Sequence, residues 1–418
     1  MIKSYVVIKN VRIVDTAKKM FTLCDILLGE ETDRGRMFIT SGKLGSDGRF
    51  SCVETGQDIF ISMYDGLSIQ NARSKLFAPA FVDLDCRLGI NTSTGEDIIS
   101  STMSARNGGW GHILPAPELP MATFHKHTTR PFLCQVTPVG GLDDIGNANL
   151  TAISDACDPY ASADDQRRIM SSCLERDILY ICGRMDDSLV GQSRVNLGRV
   201  SRMLGTVGIP QSAETIAVAR AALLAAEVGC RVHITTVSCR ATLDVIRWAK
   251  SRGARITCGT TPLYFSLCED DVMLHGGSAI VYPPLRSHDD RDAIIEGLLD
   301  GTIDCISSGH APVSRGAKGN TADTADFGAV GFETAFSVCA TYLIQPRHMD
   351  VFRLIDLLSI NPGRILGQET ALQQGKLVRC NMISTDSEVV YSRNNLHSRC
   401  YNTPFFGRPL VGTIDQIY

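Results

Sequence analysis

Apolar and polar residues alternate over short segments at both ends of the chain, with the period of two that is typical of β-strands. Near the N-terminus, the segments with this pattern are residues 5–14, 22–29, 50–53 and 59–61. Similar segments return near the C-terminus, at residues 376–378 and 388–391. We therefore expect residues 1–76 and 371–418 to form one small β-sandwich domain from both ends of the chain.

The pattern changes from residue 77 onward, where short apolar segments alternate with longer segments of helical character. The apolar segments are residues 132–136, 178–182, 231–234, 255–258 and 303–306. Helices are predicted at residues 211–229, 241–251 and 289–299. Repeated βα units of this kind indicate a parallel sheet, which we expect to close into a barrel. The predicted fold class is therefore α/β, with a (β/α)8 TIM-like barrel over residues 77–370.

The composition is that of an ordinary soluble globular protein. The chain has 418 residues, of which 44% are hydrophobic and 21% charged, and its formal net charge is -4. Lysine and arginine form no cluster dense enough to indicate binding to nucleic acid or to an anionic membrane. The N-terminus lacks the apolar core and cleavage site of a signal peptide, and the sequence has no long apolar run. We expect a cytoplasmic protein.

Fifteen cysteines are scattered singly along the chain, without a Cys-x-x-Cys pair. Most lie in apolar stretches, which favours buried reduced thiols over disulfides or a zinc knot. Cys86, Cys182, Cys258 and Cys305 lie at or near predicted ends of barrel strands. They either converge on a soft metal ion or fill the strands as small apolar residues.

Eight short motifs follow one another in a characteristic order. They are residues 78–83, 208–215, 283–287, 301–306, 310–312, 327–335, 361–362 and 402–405. In this order and spacing they resemble the cyclic amidohydrolases, and the dihydroorotase branch in particular, over nearly the whole chain. The resemblance implies a barrel whose C-terminal mouth holds zinc through histidines and carboxylates, which lowers the pKa of a bound water toward neutrality.

The positions that correspond to the family's metal ligands carry other residues here. Asp85 and Arg87 stand where the family has a His-x-His pair, Gly183 and Thr236 where it has two further histidines, and Gly309 where it has an aspartate. That aspartate is also the family's expected general base. Arginine repels a cation, and glycine can neither bind one nor accept a proton. The resemblance therefore implies a degenerate metal site.

The arginine and asparagine with which family members bind the substrate's carboxylate are also replaced, by Gly89 and Glu118. The Glu118 carboxylate would repel an anionic substrate. We interpret the chain as a catalytically inactive dihydroorotase-like protein of pyrimidine biosynthesis that needs no cofactor. The resemblance implies a homodimer and, as for family members without a metal site, a structural or assembly role beside aspartate carbamoyltransferase.

Two other interpretations stay open. One is a divergent active hydrolase of cyclic amides, of dihydroorotase or hydantoinase type, with bound zinc. The other is a sensor that binds a pyrimidine-like ligand in the mouth without chemistry. For any remaining activity, His310 and Asp155 are the candidate catalytic residues, and His233, Arg87 and Arg286 the candidate substrate-binding residues. The simpler interpretation is that His310 caps a loop and His233 is a core residue.

The arginines near the predicted mouth have a second possible role. Arg87, Arg184 and Arg286 can replace the positive charge of the lost metal and hold neighbouring acids such as Asp85. That arrangement would stabilise the barrel without zinc.

Two polar segments complete the prediction. His125 and His127 have the spacing of a metal-binding pair but fall in a polar connection, which favours a solvated loop. Residues 313–327 are rich in Gly, Thr, Asp and Ala and predict a mobile loop over the mouth.

Overall fold

The structure is a computed structural model of the chain. It describes residues 2–31, 35–53, 55–61, 66–89, 95–117, 134–147, 150–156, 162–183, 185–319, 321–322, 324–373, 376 and 379–418. Within these ranges, none of the helices has the length and apolar character needed to cross a membrane.

Strands from both chain ends meet in one nine-stranded sheet. Its strands are β1 (Ile2–Asp15), β2 (Met20–Glu31), β3 (Gly35–Leu44), β4 (Arg49–Cys52), β5 (Asp58–Phe60), β6 (Ser68–Asn71), β7 (Leu76–Pro79), β16 (Cys380–Val390) and β17 (Pro409–Ile417). The order is β17-β16-β7-β1-β2-β3-β4-β5, and β6 pairs with β1. The antiparallel pairing of Pro79 with Cys380 joins the two chain ends.

Successive residues of β1 pack on opposite faces of this sheet. Val6 and Ile8 belong to one buried cluster with Phe38, whereas Val7 belongs to another with Phe50. The alternation that predicts strands near both termini therefore reflects two buried faces. The boundaries of the two predicted domains stay a prediction.

Eight parallel strands form the barrel. They are β8 (Phe81–Cys86), β9 (Trp110–Pro115), β10 (Gln135–Val136), β11 (Ala152–Ser154), β12 (Leu179–Cys182), β13 (Val232–Ile234), β14 (Ile256–Thr260) and β15 (Cys305–Ile306). β8 to β10 form one sheet and β11 to β15 a second. Isolated parallel bridges between Gly140 and Ile153 and between Cys86 and His310 join the two sheets. The strands thus close into a ring, as predicted.

Helices follow the barrel strands. In the described ranges they are α1 (Ile98–Asn107), α2 (Ala163–Glu175), α3 (Asp187–Val190), α4 (Arg199–Leu204), α5 (Gln211–Val228), α6 (Arg240–Ser251), α7 (Pro262–Ser266), α8 (Asp271–His275), α9 (His288–Asp300), α10 (Arg315–Lys318), α11 (Ala335–Cys339), α12 (Val351–Ile355) and α13 (Asn361–Ile365). Short 3-10 turns lie at Leu142–Gly146 and Gly276–Ala279, and π-helical turns follow α11 and α12 at Ala340–Ile344 and Asp356–Ile360.

The three predicted helices correspond to α5, α6 and α9, and local signals explain their ends. Pro210 precedes α5, and Gly229 ends it in the left-handed conformation with φ 80°. Ser287 caps α9 by accepting a hydrogen bond from the backbone N–H of Asp290.

Sequence periodicity missed β3, β6, β7 and β17 of the nine-stranded sheet and β9 and β11 of the barrel. β17 begins with Pro409 and contains Gly412, two residues that weaken a strand signal. Pairing with β16 determines its conformation instead, and the Cα of Gly412 lies so close to the π-helical turn after α11 that a Cβ would be 2.6 Å from Ala340 Cβ. The predicted strands at 132–136 and 376–378 lie partly outside the described residues.

Candidate functional site

A cavity of about 580 Å³ lies at the C-terminal ends of the barrel strands, which we call the mouth. All five predicted degenerate ligand positions line it: Asp85, Arg87, Gly183, Thr236 and Gly309. These residues are far apart in the chain but meet here because the parallel strands of a barrel all end on one rim.

Asp85 is held by its neighbours in the mouth. Thr236 Oγ1 donates a hydrogen bond to Asp85 Oδ2, and the backbone N–H of Gly309 donates to the Asp85 carbonyl at 3.2 Å. Burial raises the pKa of Asp85 above its usual value, and the Thr236 hydrogen bond and the Arg87 charge offset only part of that rise. The carboxylate that could serve as a ligand is therefore already a hydrogen-bond acceptor within the protein.

The two glycines at the ligand positions of the mouth are closely packed. Gly309 has φ +62°, and a Cβ added to it would lie 2.8 Å from Thr261 Cγ2. A Cβ on Gly183 would lie 3.0 Å from Thr235 Oγ1 and 3.1 Å from Ala156 Cβ. The side chains around both positions occupy the space that a larger residue would need.

Thr261 is a buried polar residue of the mouth that the sequence did not indicate. It lines the cavity, is only 2% exposed, and its Oγ1 has no hydrogen-bond partner among the described residues. A buried hydroxyl without a partner costs free energy, which a bound molecule can recover by hydrogen bonding.

His310 is among the residues that line the mouth, but it is fully buried and both of its ring nitrogens are engaged. Its Nδ1 accepts hydrogen bonds from the backbone N–H groups of Gly331 and Phe332, at 3.3 and 3.4 Å. Nε2 therefore carries the hydrogen atom and donates it to Glu96 Oε2 at 3.2 Å. The ring also stacks on Phe332, with 4.0 Å between centroids. This geometry favours the structural interpretation of His310.

Glu96 is the residue that holds His310, and no sequence motif indicates it. Its carboxylate also accepts hydrogen bonds from Ser101 and Ser398. Burial by itself raises the pKa of a carboxyl group, but the hydrogen bonds from His310, Ser101 and Ser398 outweigh it and lower the pKa of Glu96 to about 2. The hydrogen bond between Glu96 and His310 therefore holds the loop after β15 against the segment between β8 and α1.

Asp83 is a second acid that the sequence analysis did not select. It lies on β8, is fully buried, and accepts hydrogen bonds from the backbone N–H groups of Asp85 at 2.9 Å and Ser308 at 3.2 Å. Burial raises its pKa from 3.8 to about 7, in spite of these hydrogen bonds. An acid inside an otherwise apolar strand, two residues from Asp85, is the signal that could have identified it.

Asp83 predicts a pH-dependent stability. The pKa of Asp83 is higher in the folded protein than in the unfolded chain. The stabilisation of the folded state that results from this difference is therefore complete below about pH 4 and is lost as the pH rises to about 7. Between pH 5 and pH 8 we expect the protein to lose about 1–3 kcal/mol of unfolding free energy relative to Asp83→Asn. Urea unfolding of both proteins at the two pH values measures this difference. Asp47→Asn, on the surface, is the control, and equal pH dependence in all three proteins would contradict the prediction.

Asp155 and His233 lie below the mouth rather than on its lining. Asp155 Oδ2 accepts a hydrogen bond from the Tyr180 hydroxyl and Oδ1 one from the backbone N–H of Gly183, both at 2.8 Å. His233 Nδ1 lies 2.8 Å from Thr257 Oγ1, and burial together with the Lys250 charge lowers the pKa of His233 to about 3. Both residues are fully buried. Their positions favour core roles over the predicted catalytic and substrate-binding ones.

Arg286 likewise lies away from the cavity lining, in a buried polar network. Its Nη2 lies 3.4 Å from Glu214 Oε2, and its Nη1 donates to Asn196 Oδ1 at 2.9 Å and to the Ile209 carbonyl at 3.0 Å. Ser238 Oγ accepts from Arg286 Nε at 3.1 Å and donates to Glu214. The guanidinium is fully engaged by the protein, so the structure does not bring it to a ligand as the sequence analysis expected.

Comparison with known proteins identifies the family. The Dihydro-orotase-like family profile matches residues 165–242. The dihydroorotase of Thermoanaerobacter sp. is 33% identical over 378 residues, which cover 85% of this chain and 87% of that protein. The chain belongs to the dihydroorotase family. The dihydroorotase of Caldicellulosiruptor saccharolyticus is 30% identical and covers 99% of this chain and 96% of its own length.

Solved structures support the fold. The L-hydantoinase (dihydropyrimidinase) from Arthrobacter aurescens superposes with a TM-score of 0.79 at 19% identity, covering all of this chain and 95% of that chain. D-hydantoinase from Bacillus sp. AR9 gives a TM-score of 0.82 at 16% identity, covering 99% and 94%. At such identities the likeness shows the fold alone. It confirms the predicted α/β class, a TIM barrel with a β-sandwich.

The residues at the five ligand positions of the mouth do not fit the zinc ion that the resemblance to dihydroorotases implies. Zinc ligands in proteins are thiolates, imidazoles and carboxylates. The five ligand positions provide a single carboxylate, a hydroxyl that donates to it, a guanidinium and two closely packed glycines. We therefore derive no hydrolytic step through zinc at this site.

The strand-end cysteines of the dihydroorotase barrel do not form a soft metal site. Cys258 Sγ donates to the Thr302 carbonyl at 3.2 Å, and Cys305 Sγ lies 3.7 Å from His233 Nε2. Burial raises the pKa of Cys258 to about 12. All cysteines that the structure describes are free thiols, and all except Cys24 are buried.

The expectation that the chain needs no metal anywhere requires correction. In the described part of the chain, Cys268, Asp270 and His288 place a thiol, a carboxylate oxygen and a ring nitrogen within 4.8 Å of one another. None of the three lines the mouth. This cluster does not fit a prediction of no cofactor.

The predicted loop over the mouth is anchored at its centre. Residues 313–319 and 324–327 contribute Val313, Ala317 and Phe327 to the cavity lining. Buried Lys318 donates through Nζ to the carbonyl groups of Ile280, Asp326 and Gly328, at 2.6, 2.8 and 2.5 Å. The mobility expected from composition stays a prediction. Glu118, His125, His127 and Arg184 lie outside the described residues.

Proposed function

We propose that this member of the dihydroorotase family does not hydrolyse dihydroorotate and acts, as a cytoplasmic homodimer, as a structural or assembly partner of aspartate carbamoyltransferase in pyrimidine biosynthesis. The observation that carries the proposal is the geometry at Gly309. The position of the family's general base has a left-handed backbone, and a Cβ there would lie 2.8 Å from Thr261 Cγ2. Without a base and without ligands, water in the mouth is not activated.

The candidate acid–base residues support the same conclusion. His310 Nε2 donates to Glu96, and its Nδ1 accepts from two backbone N–H groups. Both carboxylate oxygens of Asp155 accept hydrogen bonds, from Tyr180 and from Gly183. A general acid or base must reach the reacting atom directly or through one water. Asp155 does not line the cavity, and His310, which does, has both ring nitrogens engaged within the protein.

The charge of the mouth also disfavours dihydroorotate, whose carboxylate is anionic. Among the described lining residues, Asp85, Asp187 and Asp326 carry carboxyl groups, and Arg87 carries a guanidinium. Gly89 cannot replace the arginine that the family uses for the substrate's carboxylate. Because the three carboxyl groups outnumber the single guanidinium, they weaken the binding of an anionic substrate by electrostatic repulsion.

The partner half of the proposal rests on the resemblance. Dihydroorotase-like proteins that lack a metal site associate with aspartate carbamoyltransferase, and this chain shares both their fold and their degenerate mouth. A barrel can still bind a partner through its surface after its mouth has lost the catalytic residues, because the fold and the site depend on different residues.

Turnover measurements test the catalytic half. Dihydroorotate hydrolysis and the reverse cyclisation are followed with the protein as purified, with added Zn²⁺ and after treatment with a chelator. We expect the background rate in all three cases. A zinc-dependent rate that Asp85→Asn abolishes, and that the surface control Asp47→Asn preserves, would show the divergent active hydrolase instead.

Complex formation tests the partner half. The protein is mixed with aspartate carbamoyltransferase from the same organism and analysed by size-exclusion chromatography with light scattering. We expect co-elution and a higher melting temperature of the transferase. Separate elution, with the stability of the transferase unchanged, would rule out this role.

A second candidate function is binding of a pyrimidine-like ligand, and Thr261 is the observation that favours it. The unpartnered hydroxyl beside a cavity of about 580 Å³ is suited to hydrogen-bond a small polar ring. Thermal stabilisation by dihydroorotate, orotate or uracil in the presence of chelator tests this. Thr261→Val should reduce the shift and Thr22→Val, on the exposed face of β2, should not. No shift with any of the three ligands would exclude them as ligands of the mouth.

A further inference from the structure

A thiol, a carboxylate and an imidazole meet on the outer part of the barrel, away from the mouth. Cys268 follows α7, Asp270 precedes α8, and His288 is the first residue of α9. Cys268 Sγ lies 3.5 Å from His288 Nε2, and Asp270 Oδ2 lies 3.2 Å from the same nitrogen. No motif or regular spacing marks these residues, so their proximity results from the packing of α9 against the preceding loop.

His288 Nε2 cannot both donate to Asp270 and accept from Cys268, although the Cys268 thiol has another acceptor in Asp271 Oδ2 at 3.6 Å. If Nε2 carries a hydrogen atom, it can donate to Asp270 and then has nothing with which to accept from the thiol. If Nε2 lacks one, it can accept from Cys268 but has nothing to donate to the carboxylate. A nucleophilic Cys-His-Asp triad is also disfavoured, because a triad needs the nucleophile and the carboxylate on different ring nitrogens, whereas both groups here contact Nε2.

We propose that Cys268, Asp270 and His288 bind a zinc ion, with the fourth position open to water. Zinc prefers tetrahedral coordination, with bonds of about 2.3 Å to sulfur and about 2.0–2.2 Å to nitrogen and oxygen. Such a centre places sulfur and nitrogen about 3.5 Å apart, and nitrogen and oxygen about 3.4 Å apart. The observed separations of 3.5 and 3.2 Å match those edges.

Charge and ligand type agree with this assignment. A thiolate and a carboxylate together neutralise a divalent cation, and sulfur with imidazole nitrogen selects zinc over magnesium or calcium. Arg199 pairs with Asp270 through Oδ1, which leaves Oδ2 directed toward His288. The backbone N–H of Cys268 donates to Asp271 Oδ2 at 2.9 Å, which fixes the loop that carries the thiol. Supporting hydrogen bonds of this kind orient ligands at protein metal sites.

Exposure gives the ion a path to the site. Cys268 is 3% exposed, whereas the side chains of Asp270 and His288 are 35% and 58% exposed. Zinc would connect the loop after α7 to the first turn of α9, and binding to the folded state alone would stabilise the protein. The site is independent of the mouth, so bound zinc would not by itself indicate a hydrolase.

Cobalt titration of the metal-free full-length protein tests the proposal. Co²⁺ bound by a thiolate in a tetrahedral site gives a sulfur-to-metal charge-transfer band and intense ligand-field bands, and added Zn²⁺ should displace it. We expect about one equivalent bound, and at least about a 10-fold loss of affinity in Cys268→Ser, Asp270→Asn and His288→Gln, since even supporting partners of a metal ligand account for 10-fold or more. Because Asp270 and His288 are partly exposed, their variants should fold even if Cys268→Ser does not.

Two control variants locate the metal. His275→Gln removes a neighbouring imidazole on α8 that is outside the cluster, and Asp85→Asn removes the carboxylate of the mouth. Both should bind cobalt as the unmodified protein does. Absence of a charge-transfer band would leave His288 and Asp270 as a simple ion pair and overturn the proposal. Binding lost only in Asp85→Asn would also overturn it, and would place the metal in the mouth.

Discussion

Gly309→Asp is expected to lower the free energy of unfolding by about 2–5 kcal/mol without producing hydrolase activity. The left-handed backbone at φ +62° costs a residue with a Cβ about 1–2 kcal/mol. The Cβ would also lie 2.8 Å from Thr261 Cγ2, and such overpacking costs about 1–3 kcal/mol. Denaturant unfolding measures the stability, and a dihydroorotate assay with zinc measures the activity.

Gly205→Asp is the matched control for this prediction. Gly205 has φ +65°, but a Cβ there would meet nothing within 4 Å, so the variant isolates the backbone cost from the contact with Thr261. Combining Gly309→Asp with Thr261→Ala should recover part of the lost stability, because the methyl group that clashes is then absent. Equal destabilisation in the two glycine variants would show that the packing at the mouth is not the obstacle.

Arg286→Met is expected to destabilise the protein by about 3–5 kcal/mol, because it leaves the Glu214 carboxylate buried without its cation. The side chains of Arg286 and Glu214 are 1% and 4% exposed, so water cannot replace the lost partner. If Arg286 bound a ligand in the mouth instead, the variant would lower ligand affinity and leave the stability nearly unchanged. Denaturant unfolding distinguishes the two roles.

The surface pair between Arg240 and Glu296 supplies the control, with side chains 44% and 55% exposed. Arg240→Met should change the stability by no more than about 0.5 kcal/mol. The double variant Arg286→Met with Glu214→Leu should be more stable than Arg286→Met alone, because no buried charge is then left unpaired. A double variant less stable than the single one would mean that Glu214 is satisfied by Ser238 without the arginine.

Local patterns predicted most strands of the barrel but not β9 and β11, and they predicted only part of the β-sandwich domain. Apolar segments at 178–182, 231–234 and 255–258 become β12, β13 and β14 because a strand covered on both faces needs a continuous apolar run. β3 and β17 gave no such signal. Gly412 and Pro409 weaken β17 locally, and its antiparallel pairing with β16 supplies the hydrogen bonds that determine its conformation.

For the mouth, too, the sequence predicted where residues lie along the rim but not which way their side chains point. The motifs placed Asp85, Arg87, Gly183, Thr236 and Gly309 correctly on one rim, since strand ends of a parallel barrel converge. They did not reveal which side chains face the cavity. His233 and Arg286 have suitable chemistry at suitable positions, yet each is directed into a buried network of its own.

The sequence by itself determined the α/β barrel and the family, because each depends on residue identity and local order, and it predicts the replacement of the metal ligands. Only the tertiary structure decided that Thr261 occupies the space beside Gly309, that Glu96 holds His310 across 214 positions of sequence, and that Cys268, Asp270 and His288 meet. These contacts join residues without any sequence spacing in common. Side-chain direction and proximity follow from how elements pack against one another, and periodicity along a chain does not encode them.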